Sequence, residues 1–95
     1  MPGFELIGEE ERNAVNEIFD SNSLFYNGKR VKYFERQFAD YIGVDYAVAV
    51  SSGTAALKTS LIAAGVKPGD EVITQAFTFI ATVEAIVDVG ATPII

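Results

Sequence analysis

Ala47-Val48-Ala49-Val50 followed directly by Ser51-Ser52-Gly53-Thr54 is the stretch whose reading decides the fold. A short apolar run suits a buried strand, and the small polar residues after it suit a tight turn into a helix. Leu57, Leu61 and Ala64 then recur at helical spacing and Gly65 closes the helix. Pro68-Gly69-Asp70 reads as a turn, Glu71-Val72-Ile73-Thr74 as a second strand, and Thr78 to Val89 as a helix with Ile80, Val83 and Val87 on one face. Gly90 stops it, and Ala91-Thr92-Pro93-Ile94-Ile95 begins a third strand. The order β-α-β-α-β predicts a mainly parallel sheet with right-handed crossovers, an α/β fold.

Upstream, the residues predict two helices around a turn. Gly8 precedes Glu9-Glu10-Glu11, an acidic first turn that suits the positive end of a helix dipole, and Ala14, Val15, Ile18 and Phe19 form a stripe. Asp20-Ser21-Asn22-Ser23 breaks it, and Tyr26-Asn27-Gly28-Lys29 reads as a turn. Val31, Phe34, Phe38 and Tyr41 make the second stripe, ended by Gly43. The expected organisation is a helical segment over residues 1–45 and the start of a sheet domain over 46–95. That sheet breaks off in its third strand. Three strands with two crossover helices cannot cover both faces of a parallel sheet, so the expectation is the N-terminal part of a larger α/β protein.

Composition removes several classes of function. The 95 residues hold no Cys and no His, which excludes a disulfide scaffold, a thiolate nucleophile and a Ser-His-Asp triad within the chain, and argues against a zinc site. A net charge of -6 argues against a nucleic-acid binder, because the basic cluster Lys29, Arg30 and Lys32 is short and lies next to Glu35. No apolar run is long enough to cross a bilayer, and the acidic N-terminus does not resemble a secretory signal. The expectation is a cytoplasmic protein without membrane partners.

Two stretches carry site-like chemistry. In Ser51-Ser52-Gly53-Thr54, Gly53 lets a ligand approach the backbone, and Thr54 with the free N–H groups of a helix start can hold an anion. The same residues also make an ordinary helix N-cap. Neither GxGxxG nor GxxxxGK[ST] occurs. Ala76-Phe77-Thr78-Phe79 lies past the carboxyl end of the second strand, where open parallel sheets bind ligands. Phe77 or Phe79 there either stacks on a planar ring or packs under the next helix. Asp70-Glu71 sits at the opposite strand end and reads as solvated, and Lys58 and Lys67 read as surface lysines.

Gly53-Thr54-Ala55-Ala56-Leu57, the run from Gly65 to Ile73, Phe77-Thr78-Phe79-Ile80-Ala81-Thr82 and Gly90-Ala91-Thr92-Pro93 together resemble the DegT/DnrJ/EryC1/StrS family. Ile7-Gly8-Glu9-Glu10-Glu11 and Phe34-Glu35 fit its N-terminal pattern, so the resemblance covers essentially the whole chain. These are pyridoxal-phosphate (PLP) aminotransferases of fold type I, most of them acting on keto sugars attached to nucleotides. The resemblance implies that the chain is the N-terminal part of the large domain of such a transferase. It implies that Gly53 and Thr54, with Ser52 beside them, hold the cofactor phosphate and that Phe79 stacks on the pyridine ring. It places Asn27 near the substrate, in a homodimer with shared active sites. Gln75-Ala76 stands where Pro-Ser is commoner, and Asn27-Gly28-Lys29 where Thr-Gly-Pro is usual.

The family's Schiff-base lysine, and the aspartate that pairs with the pyridine nitrogen, fall beyond residue 95. The resemblance therefore implies no catalytic residue in these 95 residues and no activity of the chain alone. For the full-length protein it implies transfer of an amino group from an amino acid, glutamate or glutamine, to a keto sugar in surface-polysaccharide or secondary-metabolite biosynthesis. The alternatives are a sugar dehydratase of the same family, with His in place of the lysine, and a non-catalytic remnant or interaction module.

Overall fold

The computed structural model describes residue 3, residues 6–21 and residues 28–95. The chain forms two compact units, residues 1–49 and 50–95.

The first unit holds α1 (Glu9–Asp20) and α2 (Lys29–Ile42). α1 starts where its acidic turn predicts, and the Glu11 carboxylate reaches back to accept the Gly8 N–H at 2.7 Å. That bond, followed by a second backbone N–H, holds the Glu11 carboxyl below the usual carboxylate range. α2 ends at Gly43, whose φ of 81° is the left-handed helix stop that glycine adopts at least cost. Arg30 pairs with Glu17 across the two helices, on an exposed surface where an ion pair adds little. Among the described residues the helical stripes form no core. Ala14, Ile18 and Val31 are half-buried, but Val15, Phe19, Phe34, Phe38 and Tyr41 stay exposed. The rings of Phe34 and Phe38 lie tilted with centroids 5.7 Å apart.

Residues 47–50 differ from the expected strand. They join no ladder among the described residues, because a strand is defined by the partner that takes its backbone groups. The side chains still alternate between half-buried and exposed. The Ala49 N–H donates instead to the Glu35 carboxylate on α2, at 2.8 Å.

The second unit runs α3 (Gly53–Ala63), β1 (Glu71–Ile73), α4 (Ile80–Asp88) and β2 (Thr92–Ile94). β1 and β2 pair in parallel, with Glu71 opposite Thr92 and Ile73 opposite Ile94. The Thr92 N–H donates to Asp70 O and the Thr74 N–H to Ile94 O, both at 2.8 Å, so Thr92 and Ile94 face β1 while Pro93 faces the other edge. The buried residues of this unit lie on α4 and just after it: Ala81, Ala85, Ile86 and Ala91. Small side chains let α4 sit close to α3 and β2, which it packs against. Lys67-Pro68-Gly69-Asp70 is a tight turn, closed by Asp70 N–H to Lys67 O at 3.0 Å and by Lys67 N–H to the Asp70 carboxylate at 2.8 Å. Gly90 is required twice over: its φ is 82°, and an added Cβ would meet the Pro68 ring at 3.0 Å. No described helix is long and apolar enough to cross a membrane.

Candidate functional site

The Ser-Ser-Gly-Thr turn is the start of α3. Ser52 is the N-cap, extended at φ -165° and ψ 166°, and its hydroxyl oxygen accepts the Ala55 N–H at 3.1 Å. The Ala56 N–H bonds to Ser52 O at 3.0 Å and begins the helical ladder. Two donors are left over. Among the described residues nothing accepts from the N–H groups of Gly53 and Thr54, and the half-buried Thr54 hydroxyl also has no partner. The first turn of α3 carries no acidic side chain, so the positive end of its dipole faces no carboxylate from its own turn.

Gly53 itself needs no glycine for the fold. It lies outside the left-handed region, and a Cβ built on it meets nothing within 4 Å. Neither backbone strain nor packing accounts for the residue. What its missing side chain does leave is open surface over free N–H groups, an arrangement that can receive an anion. Ser52 has an internal role as cap, and its hydroxyl proton remains available to an anion.

The second stretch leads into α4. Phe79 is the N-cap, with φ -73° and ψ 145°, and its carbonyl accepts the Thr82 N–H at 3.0 Å. The helix thus begins two residues later than the residue pattern predicts, because Phe79 is extended and offers no side-chain cap. The rings of Phe77 and Phe79 are 96% and 78% exposed. They do not pack under the helix.

Connectivity brings both stretches to one end of the sheet. α3 turns back through residues 64–70 into β1, so its start lies toward the carboxyl end of that strand, and Phe79 follows the same strand end. Lys58 ties α3 to α4 through Asp88 at 3.1 Å, so it is paired rather than simply solvated. A cavity of about 320 Å³ between α3, α4 and β1 is lined by Leu57, Leu61, Val72, Ile73 and Ile86, with Ser60, Thr74 and Thr82 as its polar residues. No charged side chain lines it, so it has no cation to offer a phosphate. Among the described residues no group of His, Cys, Asp or Glu is placed to hold a metal ion. Asn27 lies outside the described residues.

Among the polar ties that sequence reasoning missed, two stand out. One is the Glu35 carboxylate on the Ala49 N–H, fourteen residues apart with no local motif to announce it. The other is the pair of hydroxyls on Thr78 and Thr82, 2.8 Å apart. Its spacing of four residues is ordinary for a helix and carries no signal of its own.

The profile of the DegT/DnrJ/EryC1/StrS aminotransferase family matches residues 5–95. The spore coat polysaccharide biosynthesis protein SpsC of Bacillus subtilis (strain 168) is 48% identical over 89 residues, which is 94% of this chain and 23% of that protein. GDP-perosamine synthase of Caulobacter vibrioides is 42% identical over 90% of this chain and 23% of its own. The crystal structure of NtdA from Bacillus subtilis with bound cofactor PMP superposes with a TM-score of 0.85 at 36% identity, covering 94% of this chain and 21% of that one. The chain thus spans about a quarter of the length of the relatives it matches.

Proposed function

The chain belongs to the DegT/DnrJ/EryC1/StrS aminotransferase family, and from that premise we propose that residues 1–95 are the N-terminal stretch of a pyridoxal-phosphate sugar aminotransferase. Its substrate is a keto sugar, carried on a nucleotide, and its donor is glutamate or glutamine. The relatives named for polysaccharide biosynthesis and for GDP-perosamine synthesis support this substrate class. In this reading residues 1–45 are an N-terminal helical segment and 46–95 open the cofactor-binding domain of a cytoplasmic homodimer.

The observation that carries the reading is the start of α3, where two free N–H groups and the Thr54 hydroxyl surround a glycine that the fold does not otherwise need. Gly53 and Thr54 hold the phosphate, and the Ser52 hydroxyl donates a further bond. Phe79, exposed at the same sheet end, supplies an apolar wall for the planar ring. When bound, the cofactor supplies an electron sink for moving an amino group. The chain's own residues anchor and orient it. The lysine that receives the cofactor lies beyond residue 95, so residues 1–95 alone are inactive. Asn27 is assigned to the substrate by the family resemblance only.

The test uses the full-length protein. Incubation with pyridoxal phosphate should give a visible absorbance band and an adduct that borohydride makes permanent. With glutamate and a nucleotide-linked keto sugar, mass spectrometry should then find the amino sugar. A product that has lost a hydroxyl instead of gaining an amine would assign the dehydratase. Absence of both band and adduct would remove the reading altogether.

A further inference from the structure

The segment that carries the aromatic rings has almost no packing of its own. Phe77 and Phe79 are exposed, so among the described residues little packing fixes either ring. α4, which follows at once, is the best anchored helix of its unit, with Ala81, Ala85 and Ile86 buried. Thr82 joins the two. Its N–H donates to the Phe79 carbonyl at 3.0 Å, and its Oγ1 lies 2.8 Å from Oγ1 of Thr78. In a capping box the third helical residue reaches back to the N-cap. Phe79, as N-cap, has no side-chain oxygen to offer, and the Thr82 hydroxyl reaches one residue further to Thr78. The backbone is therefore tied to α4 at Phe79 and again on its N-terminal side.

We propose that Thr82 is a positioning residue for Phe79: the Thr78–Thr82 hydroxyl pair clasps the loop to the buried helix and sets the pose in which the Phe79 ring meets the cofactor. The proposal rests on the reading of Phe79 as the ring-stacking residue. The hydroxyl acts here and the bulk does not, because Val would fill the same space without the bond. Exposed hydroxyl pairs contribute modestly to stability. Their effect on an otherwise unpacked loop falls on where its ring points.

The experiment compares Thr82→Val, Thr82→Ser, Thr78→Val and the double valine variant in the full-length protein. It reads cofactor affinity, the circular dichroism induced in the bound cofactor, and hydrogen exchange over residues 77–82 without cofactor. Thr82→Val should weaken cofactor binding about fivefold, reduce the induced dichroism and speed exchange, in line with loss of one hydrogen bond. Thr82→Ser should restore all three. Thr78→Val should match Thr82→Val, and the double variant should be no worse than either. Should Thr82→Val unfold the protein, Thr78→Val, which lies outside the helix, carries the same comparison. Unchanged exchange and dichroism in the valine variants, or a serine variant as impaired as the valine, would overturn the proposal. If the wild-type protein bound no cofactor, the functional reading would fall and exchange alone would judge the clasp. Faster exchange in the valine variants with recovery in serine would uphold it, and no change would overturn it.

Discussion

α2 and α4 are both amphipathic helices in the sequence, yet they are held in different ways. α2 displays large apolar side chains, and Phe34, Phe38 and Tyr41 remain exposed; among its residues only Ala39 is buried. α4 is shorter and buries three, with Ala85 at 0% and Ile86 at 2% exposure. Within these 95 residues, size of the apolar side chain therefore does not set burial. Close approach does, and alanine permits it. The first unit relies on caps and charged hydrogen bonds, the second on contact between helices and a short parallel ladder.

The contrast breaks most sharply if Ala85 is enlarged. Ala85→Leu in the full-length protein should lower stability by about 3 kcal/mol, the upper part of the range for overpacking a filled site. Val15→Ala on α1, exposed within these 95 residues, should stay within about 0.5 kcal/mol. Urea midpoints measure both, and equal shifts would erase the distinction. Gly90→Ala comes next, at about 2 kcal/mol, because a left-handed backbone and the nearby Pro68 ring both oppose the new methyl. Gly53→Ala sharpens the comparison from the other side. The fold has room for it, so stability should hold or rise by up to about 1 kcal/mol, while cofactor affinity should fall about tenfold as the phosphate loses its open approach. An affinity that survives the methyl would contradict the phosphate role.

In the first unit the expected effects are smaller. Glu35→Ala should cost about 1 kcal/mol, less than a fully buried charged hydrogen bond, because the pair is only half-buried. Faster exchange at the Ala49 amide would report it directly. Glu11→Gln should matter least and only at some pH values. The folded-state carboxyl is held below its ordinary range, so its stabilising effect is present above that range and is lost as pH falls through the depressed value. The difference between wild type and Glu11→Gln, read as α1 amide exchange, should therefore close in acid. A difference that grew in acid would reverse the sign of the argument.

Much of this was legible in the residues. Gly43, Gly65, Pro68-Gly69 and Gly90 marked the boundaries because each supplies a backbone conformation few other residues take at low cost. Periodicity located the faces of α1 and α2, but it reports which side is apolar and not whether anything covers that side. The strand expected at residues 47–50 joins no ladder among the described residues for the same reason, since apolar alternation cannot supply a partner. At the candidate site, Gly53 and Thr54 were visible as small residues at a strand-to-helix turn. The tie between Thr78 and Thr82 was not, because it depends on Phe79 taking the N-cap, which the pattern placed inside the helix.

Pro93 gives the small sheet a direction of growth. Thr92 and Ile94 spend their backbone groups on β1, so the outer edge of β2 presents Pro93, which has no N–H to offer a new neighbour. A strand docking there would find no N–H where its carbonyl needed a donor. The free edge of β1 has no such gap. Any sheet that these two strands seed is therefore extended from β1, with β2 as its margin.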